Sequence, residues 1–422
     1  MKKPPSQRNL QPIKRSFIMA TSVQIELTDD NGSNESLIFE TLKNSGIVKC
    51  LSFHSNSFGL RPDFTTACSM SAAFSLLPHL RSIVFDTLNI GDWSTDLMES
   101  TTQNHKLELH VRNCEISESA ASALRYALQT NRIKLLDLGS CSFSTEGIQE
   151  ISSGLRNTEN LVTLYLSDLH SHLSPGLRCP LSTLIQDVCL MIRRKNTALT
   201  DLQLTGMDLG DDGLSLITRA IERHQTLMSL DVWSNTFGAL GIMNLMSMIR
   251  LVPTLCEVNF TCCDLSSEAL AILATCLAGN KTVHKLDLTK NEIDDASAIL
   301  FGTLLHGNEV LKILEVGECN LTPAGFTSIM AGLALNVALD EFSAYENPRV
   351  DNSALETYLE LVRTNKGPAE VHLKITNHIS LVNDDLAADF ALVLQRNTKL
   401  RHFTFGMVSL TGLRSIPMVL LT

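Results

Sequence analysis

The chain has 422 residues, 44% of them hydrophobic but only 5% aromatic, with leucine the commonest apolar residue. That balance suits many small, similar cores better than one aromatic-rich core, and the 19% of charged residues is too low and too evenly spread for a wholly disordered chain. The net charge is −11; the first twenty residues contribute +5 (Lys2, Lys3, Arg8, Lys14, Arg15), which leaves −16 on the rest (−11 − 5), and such a body repels a phosphate backbone, so general nucleic-acid binding is excluded.

In chain order, residues 1–20 come first. They are basic and free of acid, and the apolar stretch 16–23 is short and broken by Ser and Thr, unlike a secretory signal. They read as a disordered basic tail or as a transit peptide. No run of about 18 apolar residues occurs further on, so no membrane-spanning segment is predicted. The expected address is cytoplasmic, with the nucleus as the other option, and the eleven cysteines are then reduced thiols rather than a disulfide framework. Residues 21–46, with Ile25 and Leu27, read as an N-terminal capping unit.

From residue 47 to 422 one pattern recurs: L-x-x-L-x-L-x-x-N/C-x-L. The Asn/Cys slot is held by Asn56, Leu88, Cys114, Cys141, Leu169, Met207, Asn235, Cys263, Asn291, Cys319, Asn347, Thr376 and Val408. From Met207 to Asn347 the spacing is 28 five times in succession, which chance does not produce. Six residues after the slot stands a small residue (Ala120, Gly147, Gly213, Gly241, Ala269, Ser297, Gly325), followed by apolar positions at helical spacing such as Leu273 and Leu277. Thr322-Pro323 is an N-cap and N1 pair, and Asn131, Asn280, Asn308 and Asn336 close helices. Each unit therefore reads as strand, turn, helix, turn. Stacked units bury leucines that one unit cannot. The expected fold is an α/β solenoid of about 13 units, with parallel strands from near Val48 on the inner wall and helices on the outer wall. Helices are wider than strands, so the stack is expected to curve into a horseshoe.

Two places break the rhythm. Between Leu169 and Met207 the spacing is 38, and Pro175-Gly176 and Pro180 mark an insertion at 170–180. Its His170, His172 and Cys179 lack a fourth ligand at metal-site spacing, so no metal or other cofactor is predicted. After Asn347 the pattern degrades, with Arg349, Thr376 and His378 in slots normally apolar or Asn. The last unit carries Val408, Leu410, Leu413, Ile416, Val419, Leu420 and Leu421 with no polar cap behind them, from which either self-association through this edge or a longer array cut short here is expected.

The 28-residue spacing and the alternation of Asn with Cys resemble the ribonuclease-inhibitor-like leucine-rich repeats, over about residues 47–422. The resemblance implies a curved array that binds other proteins and is silent on which ones. A second implied role is that of a regulator resembling the Ran GTPase-activating family, although no functional arginine of that family can be placed here. No phosphate loop, H-E-x-x-H, G-x-S-x-G or C-x-x-C occurs, so the chain reads as a binding protein rather than an enzyme.

The inner strand face supplies the candidate site. Pleat alternation sends the residue between the two strand leucines to solvent: Tyr165, Gln203, Asp231, Asn259, Asp287 and Glu315. The residue after the second leucine is expected to do the same: Ser167, Thr205, Trp233, Thr261, Thr289, Gly317 and Tyr345. Glu318 and Glu346 follow one position on. The ladder is acidic and is flanked by Trp233 and Tyr345, so the expected partner is a protein with a basic or mixed surface. By the same alternation Cys114, Cys141, Cys263 and Cys319 face the core, while Cys262 faces out.

Overall fold

The computed structural model describes residues 22–27, 42, 47–55, 77, 79–91, 107–171, 181–194, 198–222, 224–373, 389, 392–393 and 396–405. The tail 1–20, Asn56, residues 172–180, Thr376, His378 and the apolar edge 408–421 lie outside them. The chain forms two units, Met1–Met207 and Asp208–Thr422.

Among the described residues the first unit carries seven parallel strands in its main sheet: β1 (Ser22–Glu26), β2 (Cys50–His54), β3 (Ser82–Asp86), β4 (Leu107–Arg112), β5 (Ile133–Gly139), β6 (Thr163–Ser167) and β7 (Asp201–Thr205). The register aligns template leucines: Leu51, Ile83, Leu109, Leu136, Leu164 and Leu202 lie side by side, all buried. The strands begin earlier than Val48, because Val23 and Ile25 occupy the same slots and pair with Leu51 and Phe53. Phe53 and Phe85 stack with ring centroids 5.6 Å apart. A second parallel ribbon joins the dipeptides 89–90, 115–116, 142–143 and 170–171, so His170 and Ser171 of the predicted insertion are strand residues. Helices α1 (Glu118–Gln129), α2 (Thr145–Asn157) and α3 (Leu181–Ile192) cover the apolar side. Buried Asp187 ties α3 to α2 by accepting from Ser152 Oγ at 2.5 Å and Arg156 Nε at 2.6 Å.

The second unit repeats the plan with β8 (Ser229–Asp231), β9 (Glu257–Asn259), β10 (Lys285–Asp287), β11 (Ile313–Glu315), β12 (Glu341–Ser343), β13 (Glu370–Leu373) and β14 (His402–Phe405). Its helices are α4 (Gly210–Ile221), α5 (Ala239–Leu251), α6 (Ser267–Ala278), α7 (Asp295–Gly307), α8 (Pro323–Leu333) and α9 (Asn352–Arg363). Ser266, Asp294 and Thr322 cap α6, α7 and α8 by accepting the N–H of Ala269, Ser297 and Gly325, which are the small residues of the sequence pattern. Pro323 stands at N1 as expected. Among the described residues no helix is long and apolar enough to cross a membrane.

The Asn/Cys slot explains why the repeat length is held. Asn347 Nδ2 donates to Val316 O (2.9 Å) and Ala344 O (3.0 Å), while its Oδ1 accepts from the N–H of Cys319 and Leu321, both at 3.0 Å. Asn291 does the same two layers earlier. A cysteine in the slot keeps the donor half: Cys319 Sγ reaches Leu288 O and Gly317 O, both at 3.2 Å. A second ladder of Asn280, Asn308 and Asn336 closes the helix-to-strand turns, each Oδ1 accepting two backbone N–H groups. Asn131 departs from this ladder and instead accepts from Glu159 N at 2.7 Å in the next repeat.

Candidate protein-binding surface

The pleat places the residue between the strand leucines on the open face in both units. Tyr165, Asp231, Asp287 and Glu315 are all half-exposed there. The next slot departs from the alternation. Trp233 is 42% exposed and Tyr345 half-buried, but Thr205, Thr261, Thr289 and Gly317 are buried. In the second unit β8, β9 and β10 end at the slot between the leucines, so the following residue belongs to a turn. There the short side chain folds back on its own backbone: Asp231 Oδ1 accepts from Trp233 N (2.9 Å), Asn259 Oδ1 from Thr261 N (2.8 Å) and Asp287 Oδ1 from Thr289 N (2.9 Å). These hydrogen bonds close the turn, in which Thr261 and Thr289 are buried while Trp233 stays exposed.

One position further the backbone is left-handed in repeat after repeat, with φ +58° at Ser234, +54° at Cys262, +61° at Lys290, +51° at Glu318 and +52° at Glu346. This turn carries Glu318 and Glu346 onto the rim of the sheet face, half-exposed, and puts Cys262 at the surface while Cys263 is buried beneath.

The acids therefore divide. Asp231 is held by Trp233 N and by Asn259 Nδ2 at 3.0 Å, and burial raises its pKa, with the nearby Asp287 carboxylate adding to the rise. Glu315 pairs with Lys285 at 2.9 Å and Glu318 with Lys290 at 3.5 Å. Burial works to lower the Lys285 pKa, yet Glu315, Asp287 and Glu257 together outweigh it and the ammonium is held above its usual range. The Tyr345 ring lies over Gly317, where a Cβ would stand 2.5 Å from the ring and force it to shift. Burial pushes the Tyr345 phenol up; the Thr289 hydroxyl opposes this, and Asp287, Glu318 and Glu315 push it higher. On this face Asp231, Glu257, Asp287, Glu315, Glu318, Glu341, Glu346 and Glu370 stand against Lys285, Lys290 and His372, so its charge is negative.

The second unit thus brings together Asp231, Trp233, Asp287, Glu315, Glu318, Tyr345 and Glu346, while Tyr165 belongs to the first. There a cluster unforeseen in the sequence surrounds the Tyr165 strand: buried Asp137, in register with Tyr165, accepts from Arg112 Nε at 2.7 Å and meets His110 Nδ1 at 3.0 Å. The signal was available, since His110 and Asp137 occupy the same slot between template leucines.

A leucine-rich-repeat family model matches residues 279–302, the turn leading through β10 into α7. Mouse NACHT, LRR and PYD domains-containing protein 14 is 25% identical over 286 residues, covering 67% of this chain and 26% of the relative. Mouse ribonuclease inhibitor is 26% identical over 257 residues, covering 59% of this chain and 54% of the relative. The chain is similar to leucine-rich-repeat proteins of the ribonuclease-inhibitor kind. It spans about half of the ribonuclease inhibitor and about a quarter of the larger relative. A solved structure, the yeast Rad7 and Elc1 complex, superposes on this repeat protein with a TM-score of 0.52 at 14% identity, over 90% of this chain and 86% of that one, a likeness of fold. Leucine-rich-repeat relatives of this kind support a protein-binding scaffold in general, and the open strand face of the second unit carries outward side chains, Trp233 among them.

Proposed function

We propose that the open strand face of the second unit binds a partner protein through a basic or mixed surface, and that the chain acts as a scaffold or regulator by holding that partner rather than by catalysis. The observation that carries this is Trp233, 42% exposed on a face whose carboxylates outnumber its lysines. A large aromatic side chain left in water amid charge is the composition of an interface anchor. The carboxylates steer a cationic surface toward it and speed encounter more than they tighten the final complex. The buried thiols of the Asn/Cys slot suit a reducing address, the cytosol or nucleus.

The test is quantitative capture. A partner isolated with the parent chain is titrated against Trp233→Ala, which is expected to lose about 2 kcal/mol or more of binding free energy. Glu315→Lys with Glu318→Lys is expected to slow association and flatten its salt dependence. A partner that binds both variants as tightly and as fast as the parent sinks the proposal.

A further inference from the structure

Glu315 and Glu318 flank Gly317 in one repeat, and Gly317 has no side chain to fill the space between them. The ring of Tyr345, from the next repeat, takes that space: its Cε1, Cζ and Cδ1 stand 2.5, 2.6 and 2.8 Å from where a Gly317 Cβ would be. The ring is half-buried, so part of its surface stays open to solvent. Its phenol lies near the hydroxyl of Thr289, a residue 2% exposed whose hydroxyl has no other partner among the described residues. Burial raises the phenol's pKa, and Asp287, Glu318 and Glu315 are near enough to push it further up. An aromatic ring therefore sits among three carboxylates.

Two of these carboxylates already hold cations, and both cations come from the chain itself. Lys285 Nζ meets Glu315 Oε1 at 2.9 Å, and Lys290 Nζ meets Glu318 Oε1 at 3.5 Å. Both lysines belong to the preceding repeat and reach in the same direction, across one strand spacing of about 4.8 Å. Each glutamate uses one oxygen in this way; Oε2 of Glu315 and of Glu318 accepts no hydrogen bond among the described residues. All four side chains are partly exposed, so neither pair is locked by burial.

Chemistry selects what can displace the lysines. A partner's lysine would replace one ammonium by another and gain nothing over a group that the chain supplies at high local concentration. A partner's arginine gains twice. Its planar guanidinium can lie against the Tyr345 ring, and its forked N–H groups can serve two carboxylate oxygens at once. The ring and the unshared oxygens are both in place.

We propose that Glu315, Glu318 and the Tyr345 ring over Gly317 form a seat for an arginine side chain of the partner, which Lys285 and Lys290 occupy until it arrives. This rests on the strand face of the second unit being the binding surface, and it adds the residue type by which the partner is held. Hexa-arginine and hexa-lysine peptides titrated onto the full chain by isothermal calorimetry test it. Hexa-arginine is expected to bind about threefold or more tighter than hexa-lysine. Tyr345→Leu is expected to abolish that preference and Tyr345→Phe, which keeps the ring, to retain it, with the circular dichroism spectrum unchanged in both. Lys285→Met with Lys290→Met is expected to tighten hexa-arginine binding about threefold more than Lys281→Met with Lys366→Met, which removes the same charge from exposed helix-to-strand turns. Equal binding of the two peptides, a preference that survives Tyr345→Leu, or lysine variants no different from their control overturns the proposal. So does a captured partner that loses affinity with Trp233→Ala but not with Tyr345→Leu, a result that leaves the role of Trp233 standing.

Discussion

Helices α7 and α8 approach so closely that two glycines are required, and replacing either is the sharpest test of the packing described above. A Cβ on Gly332 would stand 2.2 Å from Gly302 O and 2.7 Å from Gly302 Cα; a Cβ on Gly302 would stand 2.3 Å from Ser328 O. Every one of these neighbours is helix backbone, so no side chain can swing aside. The two helices must separate by about 1 Å, and the apolar contacts between them open with them. Overpacking of this kind costs about 1–3 kcal/mol, and a rigid backbone neighbour places it at the upper end. Alanine recovers about 1 kcal/mol of helix propensity over glycine. Gly332→Ala is therefore expected to destabilise by about 2 kcal/mol net. Gly307→Ala is the control: nothing lies within 4 Å of its Cβ, so only the propensity gain remains and the protein holds or gains stability. Urea titration followed by circular dichroism reads both, and hydrogen exchange should place the loss in α7 and α8. A Gly332→Ala protein as stable as the parent refutes the close-approach argument.

Three further outcomes follow from buried polar groups. His224 stands where the later repeats have Asn280, Asn308 and Asn336; its Nδ1 accepts from Thr226 N (3.3 Å) and Leu227 N (3.0 Å), and burial lowers its pKa. The unfolded chain then protonates first, so this contribution to stability is whole above about 6.5 and is lost as pH falls below it; melting curves at pH 7.5 and 5.5 should separate for the parent more than for His224→Asn. Asn347→Ala leaves the N–H groups of Cys319 and Leu321 unpaired in the core and is expected to cost about 3 kcal/mol by the same urea titration. Brief alkylation with mass-spectrometric readout should label exposed Cys262 well ahead of Cys263 and Cys319, whose thiols burial pushes up to about 12; labelling of Cys263 first would contradict the register.

The repeat was legible because one side chain serves two layers. Asn291 and Asn347 bond backbone atoms of both their own turn and the preceding one, so a unit of another length would strand those groups, and the 28-residue spacing survives in the sequence as a result. The slot after the second leucine was not legible in this way. Alternation of side chains describes a strand, and β8, β9 and β10 stop one residue before that slot. The left-handed residues that follow, from Ser234 to Glu346, include no glycine to announce them. The buried Thr261, Thr289 and Gly317 are the consequence, and Trp233 is exposed despite the same turn.

Side-chain length decides which acids remain available to a partner. At the slot between the leucines a one-carbon spacer lets Asp231 and Asp287 reach the N–H two residues on and end their strands. Glu315, one carbon longer in the same slot, reaches across the sheet to Lys285 instead. A partly exposed pair of this kind is worth about 1 kcal/mol, so Glu315 can exchange Lys285 for a partner's cation at modest cost, while Asp287 would have to release its own turn. The same holds at the rim, where Glu318 meets Lys290 at 3.5 Å. The acidic ladder seen in the sequence is therefore two populations: aspartates that build the face and glutamates that can be lent to a ligand. On the proposed reading only the second group joins Trp233 in recognition.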